Sequence, residues 1–434
     1  MPPINPEAEQ LNQTIKSQSD TVFGLLSKKG SAIYFPKKGI LSQGAEAKGK
    51  KINATIGIAL ENDGSSMSLQ SLKNQINISA EDAFPYAPSF GRPDIREKWR
   101  QMIYDKNPGL QGKEIGLSVV TSALTHGLNM VAYLFADSHD KIIIPDLYWE
   151  NYELIFGNAY GAKLVFFKLF KNNKFDIASL KSKLSSGTGK KILLLNFPNN
   201  PAGYTPSISE MQEIVKIIKE SAESGNKIVV IVDDAYFGLV YKDGVEKQSI
   251  FTWLCDLHEN VLAVKVDGPT KEDYVWGFRV GFITYGIKNG TKELYSALEA
   301  KTAGAIRGNI SNSSNLSQSL LLKTYNSENY ESEKKEKYEI LKSRYDKVKN
   351  ILNDKKFQKF FRPLPYNSGY FMCISLKKGL DAEKVRQLLL SKYDTGVITV
   401  GNLLRIAFSA TKEADIAELF ENIYSACNEL NNIN

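Results

Sequence analysis

From about residue 116 to residue 285, short β-rich runs alternate with segments of helical period, and each run stops at a small, polar or turn-forming residue. This alternation is the strongest constraint on the fold. The runs cover 117–121, 141–145, 191–196, 227–233, 262–266 and 281–285, and several are nearly all apolar, as strands buried on both faces of a parallel or mostly parallel sheet are. Between two of them, Met211, Ile214, Val215 and Ile218 recur at helical spacing, with Ser207 and Glu210 in front and Gly225 behind. That combination is a capping box, an amphipathic helix and a glycine stop. The middle of the chain is therefore α/β, with helices covering a sheet.

Beyond residue 316 the pattern becomes a long charged helical stretch, 318–352, followed by expected strands at 370–376, 396–400 and 403–409 and helices at 382–392 and 412–430. A chain of 434 residues, 42% of them hydrophobic, has core enough for two or three units of ~100–200 residues without disulfide or metal staples. Residues 1–20 read as a flexible arm, 21–65 with 335–434 as a smaller α/β domain, and 66–334 as the large domain.

Composition narrows the function classes. Cys255, Cys373 and Cys427 lie far apart without CxxC spacing, and His126, His139 and His258 are the only histidines. This argues against a zinc module or a disulfide scaffold and suits a reducing compartment. No run approaches the ~18–20 apolar residues of a membrane span, and residues 1–30 are polar, without the apolar core of a secretory leader. A soluble cytoplasmic protein is expected. The net charge of +7 is diluted among interspersed Lys and Glu, as in 331–349, which reads as a solvated surface rather than a nucleic-acid footprint.

In an open α/β sheet, ligands sit beyond the carboxyl ends of the strands, so the residues just after each run carry the information. They are 121–125, 145–149, 196–203, 233–236 and 271–281. A parallel sheet would bring to one crevice a small-residue turn at a helix start, an aromatic, an amide, a carboxylate, a phenol, a lysine and an arginine. Asn196-Phe-Pro-Asn-Asn-Pro-Ala-Gly203, then Asp233-Asp-Ala-Tyr236, then Lys271 with Arg279 eight residues on and flanked by Gly277 and Gly281, resemble the fold type I pyridoxal-phosphate enzymes, in particular the class I aminotransferases. The resemblance runs from about Tyr86 to Arg405. It implies a large domain with a mostly parallel seven-stranded sheet between helices, plus a smaller α/β domain from the N- and C-terminal segments.

The cofactor it implies is pyridoxal 5'-phosphate. Lys271 would hold the cofactor as an imine and later carry a proton. Arg279 would take the phosphate with its planar fork. Asp233 would face the pyridine nitrogen and keep it protonated, while Asp234 points to the opposite face of its strand. Tyr236 and Asn200 would donate to the ring's phenolate oxygen. Ser122, Ala123 and Leu124 stand where the family cradles the phosphate ahead of a helix expected near Thr125. Two departures bear on phosphate affinity: Ala123 replaces the usual glycine, and Gly268 a frequent serine, for which Thr270 is the available substitute. Trp149 resembles the aromatic stacked on the ring, with Tyr148 and Tyr152 as alternatives. Tyr86 resembles the tyrosine that reaches the phosphate of a partner subunit, implying a homodimer with shared sites.

Arg405, among apolar strand residues, matches the arginine that clamps a substrate α-carboxylate, and Gly57 the glycine beside it. Arg307 precedes Ser311-Asn312 at the interval of dicarboxylate-specific members, although Ser313-Ser314 replaces the usual prolines. Gly187-Thr-Gly-Lys190 is not a phosphate loop, because Leu184 and Lys191 stand where glycine and Ser/Thr are needed. The resemblance therefore implies amino-group transfer between an α-amino acid, aspartate, glutamate or aromatic, and a 2-oxo acid by a ping-pong route. A lyase or decarboxylase on the same cofactor, and a non-catalytic pyridoxal-phosphate sensor, are the alternatives.

Overall fold

The computed structural model describes residues 4–34 and 40–433. Residues 1–3 of the expected arm, and 35–39 and 434 of the expected small domain, lie outside the described residues. Seven strands form the large sheet: β1 (Val119–Thr121), β2 (Lys141–Pro145), β3 (Lys163–Phe167), β4 (Lys190–Asn196), β5 (Lys227–Asp233), β6 (Val261–Asp267) and β7 (Gly281–Gly286). Their order across the sheet is β1-β7-β6-β5-β4-β2-β3. All run parallel except β7, which is antiparallel to β6 and β1. The expected mostly parallel sheet is present. β3, missing from the six apolar runs, is an edge strand with a single neighbour.

Alternation explains why these runs read as continuous apolar segments. Ile192, Leu194, Ile231, Val264 and Val266 enter one core cluster, whereas Leu193, Leu195, Val230, Val232 and Ala263 enter the other. Both faces of the sheet are thus dry, each covered by a layer of other elements.

The principal helices are α1 (Pro6–Gln18), α2 (Pro93–Lys106), α3 (Ala123–Phe135), α4 (Ile208–Glu223), α5 (Pro269–Glu272), α6 (Lys292–Asn309), α7 (Asn315–Tyr325), α8 (Tyr330–Leu352), α9 (Ala382–Lys392) and α10 (Ile416–Ile433). α4 has the expected capping box of Ser207 and Glu210. Most of the segment read as a flexible arm is helix α1, capped by Asn5 and tied down where Asn12 Nδ2 donates to Ser31 O at 2.9 Å. The expected single helical stretch of 318–352 is two helices. The polar turn 326–329 breaks it, and the break lets Tyr325 and Tyr330 converge on one buried carboxylate, Asp273, at 3.1 and 2.8 Å.

A second, antiparallel sheet has the order β8-β9-β11-β10, from Phe361–Pro363, Phe371–Leu376, Ile398–Val400 (β10) and Leu403–Ala407 (β11). The expected strand at 396–400 is divided: Thr395–Gly396 pairs in parallel with Ile52–Asn53, and only β10 joins β11. Ala407 N–H then donates to Ala54 O at 2.8 Å. N-terminal backbone thereby reaches the end of the strand that carries Arg405. No described helix is long and apolar enough to cross a membrane.

Candidate active site

A cavity of about 330 Å³ opens where β4, β5 and β6 end, under residues from both ends of the chain. Strand register puts Asn196 opposite Asp233 and Asp233 opposite Val266. Asn196 ties the strand ends together: its Nδ2 donates to Asp233 O at 2.8 Å and its Oδ1 accepts from Asn200 N–H at 2.8 Å. The Asp233 carboxylate is buried, with Tyr152 Oη donating to Oδ2 at 2.5 Å and Ala235 N–H to Oδ1 at 3.1 Å. Burial pushes its pKa up to about 6, although both donors favour the charged form.

Asp234 turns away from the cavity, as strand alternation requires. It pairs with fully buried Lys265, and Ser249 Oγ donates to it at 2.5 Å. Lys265 also meets Asp267 at 3.1 Å, where Trp99 Nε1 donates at 3.1 Å.

Lys271 sits in α5, the short helix after Gly268. Its Nζ donates to Gly57 O at 3.3 Å and lies 5.6 Å from the Tyr236 ring centroid. Burial lowers its pKa to about 8; Arg279 and Arg405 push the same way, and Asp233 opposes them. The turn is anchored on its far side. Lys106 and Lys334 contact Glu272 at 2.9 and 2.5 Å, and Tyr370 Oη donates to the Lys271 carbonyl at 2.7 Å. Burial would raise the Glu272 carboxyl, but the two ammonium groups hold it well below the usual range.

At the start of α3 the residues that line the cavity are offset by one from the expected cradle. Ala123, Leu124 and Thr125 line the cavity with Arg279, whereas Ser122 N–H donates to His126 Nδ1 at 3.0 Å. α3 begins at Ala123, two residues earlier than expected. Ala123 has φ 62°, the left-handed conformation that makes glycine the easier residue there. Gly268 has a different reason. A Cβ on it would lie 2.9 Å from both Gly281 Cα and Val280 O, and one on Gly281 would lie 2.7 Å from Ala123 C. Three backbones meet there, which leaves no space for a serine at 268. Thr270 Oγ1 is buried without a hydrogen-bond partner and its residue lines the cavity. An orphaned hydroxyl, a guanidinium and a helix start are a donor set that fits a phosphate ester.

The three candidate aromatics sort by position. Trp149 lines the cavity; Tyr152 beside it is committed to Asp233, with ring centroids 5.7 Å apart at 85°. Tyr148 is outside the lining and donates to Glu153. Tyr236 and Asn200 both line the cavity. Arg405 reaches it from β11, buried, with Nη2 donating to Thr55 O at 3.0 Å, Nη1 to Asn200 Oδ1 at 3.4 Å, and its guanidinium 4.3 Å from the Phe371 ring centroid. Its Nε is buried and has no partner. Gly57 and Ile40 close the cavity from the N-terminal side.

Tyr86 and Arg307 do not line this chain's cavity. Tyr86 is 90% exposed, and exposed Arg307 donates to Ser311 Oγ at 3.1 Å. Ser89 Oγ donates to Ser311 O at 2.8 Å, so both belong to one outer surface. Sequence reasoning missed Asn196 as the brace of the strand ends, and Thr125, Ile40 and Phe371 as lining residues. Asn196 had a signal, as the polar residue ending an apolar run; Ile40 and Phe371 had none beyond being apolar.

Residues 50–423 match the family model "Aminotransferase class I and II". Curated relatives include an aspartate aminotransferase of Bacillus sp. (strain YM-2), 28% identical over 204 residues, covering 45% of this chain and 47% of that protein. Another is a probable aspartate/prephenate aminotransferase of Aquifex aeolicus (strain VF5), 28% identical over 204 residues, covering 46% and 48%. The chain thus spans about half the length of the curated relatives it matches. Among solved structures, an aminotransferase from Anaerococcus prevotii superposes with TM-score 0.83 at 25% identity over 93% of this chain and 99% of that one. A kynurenine aminotransferase from Pyrococcus horikoshii shares the fold, with TM-score 0.78 at 18% identity over 95% and 99%.

Proposed function

This chain belongs to the class I and II aminotransferases, and from that premise we propose that it moves an amino group between an α-amino acid and a 2-oxo acid by a ping-pong route, with pyridoxal 5'-phosphate held on Lys271. The observation that carries the reading is that Lys271, Asp233, Arg279 and Arg405, from four separate elements, open on one cavity. When bound, the cofactor supplies an aldehyde to take the amine and a ring to accept electron density from the α-carbon.

The chain's own groups divide the remaining work. Arg279, Thr270 Oγ1 and the main-chain N–H groups at the start of α3 bind the phosphate. Asp233 holds the ring nitrogen's proton in place by charge. Tyr236 Oη and Asn200 Nδ2, which line the cavity, would donate to the ring's phenolic oxygen, and Trp149 would stack on the ring. Arg405, pre-oriented by Thr55 O and the Phe371 ring, takes the substrate α-carboxylate beside Gly57. With its pKa at about 8, Lys271 Nζ is part amine near neutral pH, so it can take up and release a proton at the substrate α-carbon. Fixed charges and orientation, rather than new covalent bonds to the protein, supply most of the rate.

Aspartate- or glutamate-type and aromatic donors are the proposed substrates, the first through Arg307 of a second copy. The surface of Arg307 also carries Tyr86, Phe84, Ile310 and Leu316, all exposed, which supports a homodimer; the composition supports a cytoplasmic location. Titrating the absorption spectrum of cofactor-loaded protein with aspartate, glutamate, aromatic amino acids and alanine tests the reading. Conversion of the cofactor to its amine form is the expected result. Release of ammonia or carbon dioxide without that conversion would replace it with a lyase or decarboxylase, and no change with any amino acid would leave a sensor.

A further inference from the structure

Asp233 receives its two hydrogen bonds from different parts of the chain. Ala235 N–H reaches Oδ1 from the turn after β5, and Tyr152 Oη reaches Oδ2 at 2.5 Å from the segment after β2. Tyr152 is 1% exposed and wedged between Trp149 and Phe156, whose ring centroids lie 5.7 and 6.3 Å from its own. The phenol has no room to swing away. With one oxygen held by main chain and the other by a phenol on another element, the carboxylate cannot roll about its Cβ–Cγ bond. Asp233 and Tyr152 both line the cavity.

A hydroxyl suits this place because it stabilises the ionised carboxylate without adding a cation to compete with a protonated ring nitrogen. The charged groups facing Asp233 are Lys271 from α5, which favours ionisation, and neighbouring Asp234 on β5, which opposes it. Tyr236 is the other phenol in range. We propose that Tyr152 is a positioning residue for the transfer reaction, acting through Asp233: its hydroxyl holds one carboxylate oxygen and so orients the carboxylate toward the bound ring. The catalytic consequence rests on the functional reading above; the hydrogen bond does not.

The test has one arm without turnover. In the full chain free of cofactor, the carbonyl stretch of the protonated Asp233 carboxyl, read by difference infrared against Asp233→Asn, follows its titration. The midpoint should lie near 6 in the native protein and about one pH unit higher in Tyr152→Phe, the size of one lost hydrogen bond to a charged group. In the loaded enzyme, Tyr152→Phe should lower kcat about tenfold at neutral pH and leave KM for the amino acid within about twofold. Tyr152→Leu, which also removes the packing, should share the shifted midpoint and lose thermal stability besides. A Tyr152→Phe protein with native midpoint or native kcat overturns the proposal. A shifted midpoint in a protein whose cofactor spectrum answers to no amino acid upholds the Asp233 assignment and fails the transfer reading instead.

Discussion

Beneath the cavity, Asp234, Asp267, Glu272 and Asp273 are all buried, and each is paired, by Lys265, Lys106, Lys334, Trp99 or the two tyrosines of α7 and α8. On the outer surface, Tyr86 is 90% and Phe84 85% exposed, and Arg307 reaches only as far as Ser311, four residues on. The floor is over-determined by a single chain: desolvated charges must find partners or fail to ionise, so each one specifies another. The outer surface has water as an alternative partner, and nothing in one chain decides what its residues finally touch.

The largest effect should come from the amine that stands on this floor and lines the cavity. Lys271→Ala should remove the visible absorption band of the loaded protein and lower turnover by at least about a thousandfold, the scale of a lost proton carrier that also binds the cofactor; single-turnover absorbance is the measurement. Retained turnover would mean that the four converging side chains are not a catalytic set.

Lys265→Met tests over-determination itself. It leaves Asp234 and Asp267 buried without their shared cation, and urea unfolding should show a loss of about 3–5 kcal/mol. A loss below about 1 kcal/mol would show that the floor tolerates unpaired charge and that the contrast with the outer surface is overstated.

Asp233→Asn should act in the opposite direction. The native carboxyl, raised to about 6, holds its proton more tightly folded than unfolded, so folding loses stability as pH rises from the unfolded value of about 3.9 through 6. Above that window the cofactor-free Asn variant should be the more stable, by up to about 3 kcal/mol, and the gain should vanish toward pH 4. Thermal melts across that range measure it. A variant that is less stable at pH 8 would show that the charge is compensated in the free protein.

Arg307→Ala is the smallest change and the one that addresses the outer surface. It should reduce kcat/KM for aspartate about tenfold while leaving aromatic donors within about twofold. An unchanged ratio of the two would detach Arg307 from substrate binding and leave the floor as described.

The two regions also differ in how far they were legible before folding. Lys271, Asp233, Asn200, Tyr236, Arg279 and Arg405 could be named because the motifs that carry them resemble, in order and spacing, those of a known enzyme family, and all line the cavity. Ser122 was one residue off. Its neighbour Ala123 looks like an ordinary helix former, and only the structure shows that the cavity-lining turn starts there, with φ 62°, and that His126 takes up the N–H before it. Tyr152 was visible as one of three aromatics, but no spacing says which of three rings near a strand end points at a carboxylate on a strand two places away in the sheet.

By itself the sequence determined the alternation of sheet and helix, and with it the strand ends at which chemistry can occur, because apolar period and capping are local and act within a few residues. Tertiary structure alone decided the partners: Lys106 and Lys334 meeting at Glu272, Tyr152 at Asp233, Gly57 at Lys271. These contacts join residues tens to hundreds of positions apart. They exist because a buried charge or donor must be satisfied by whatever the fold brings within about 3 Å, and no local pattern records that distance.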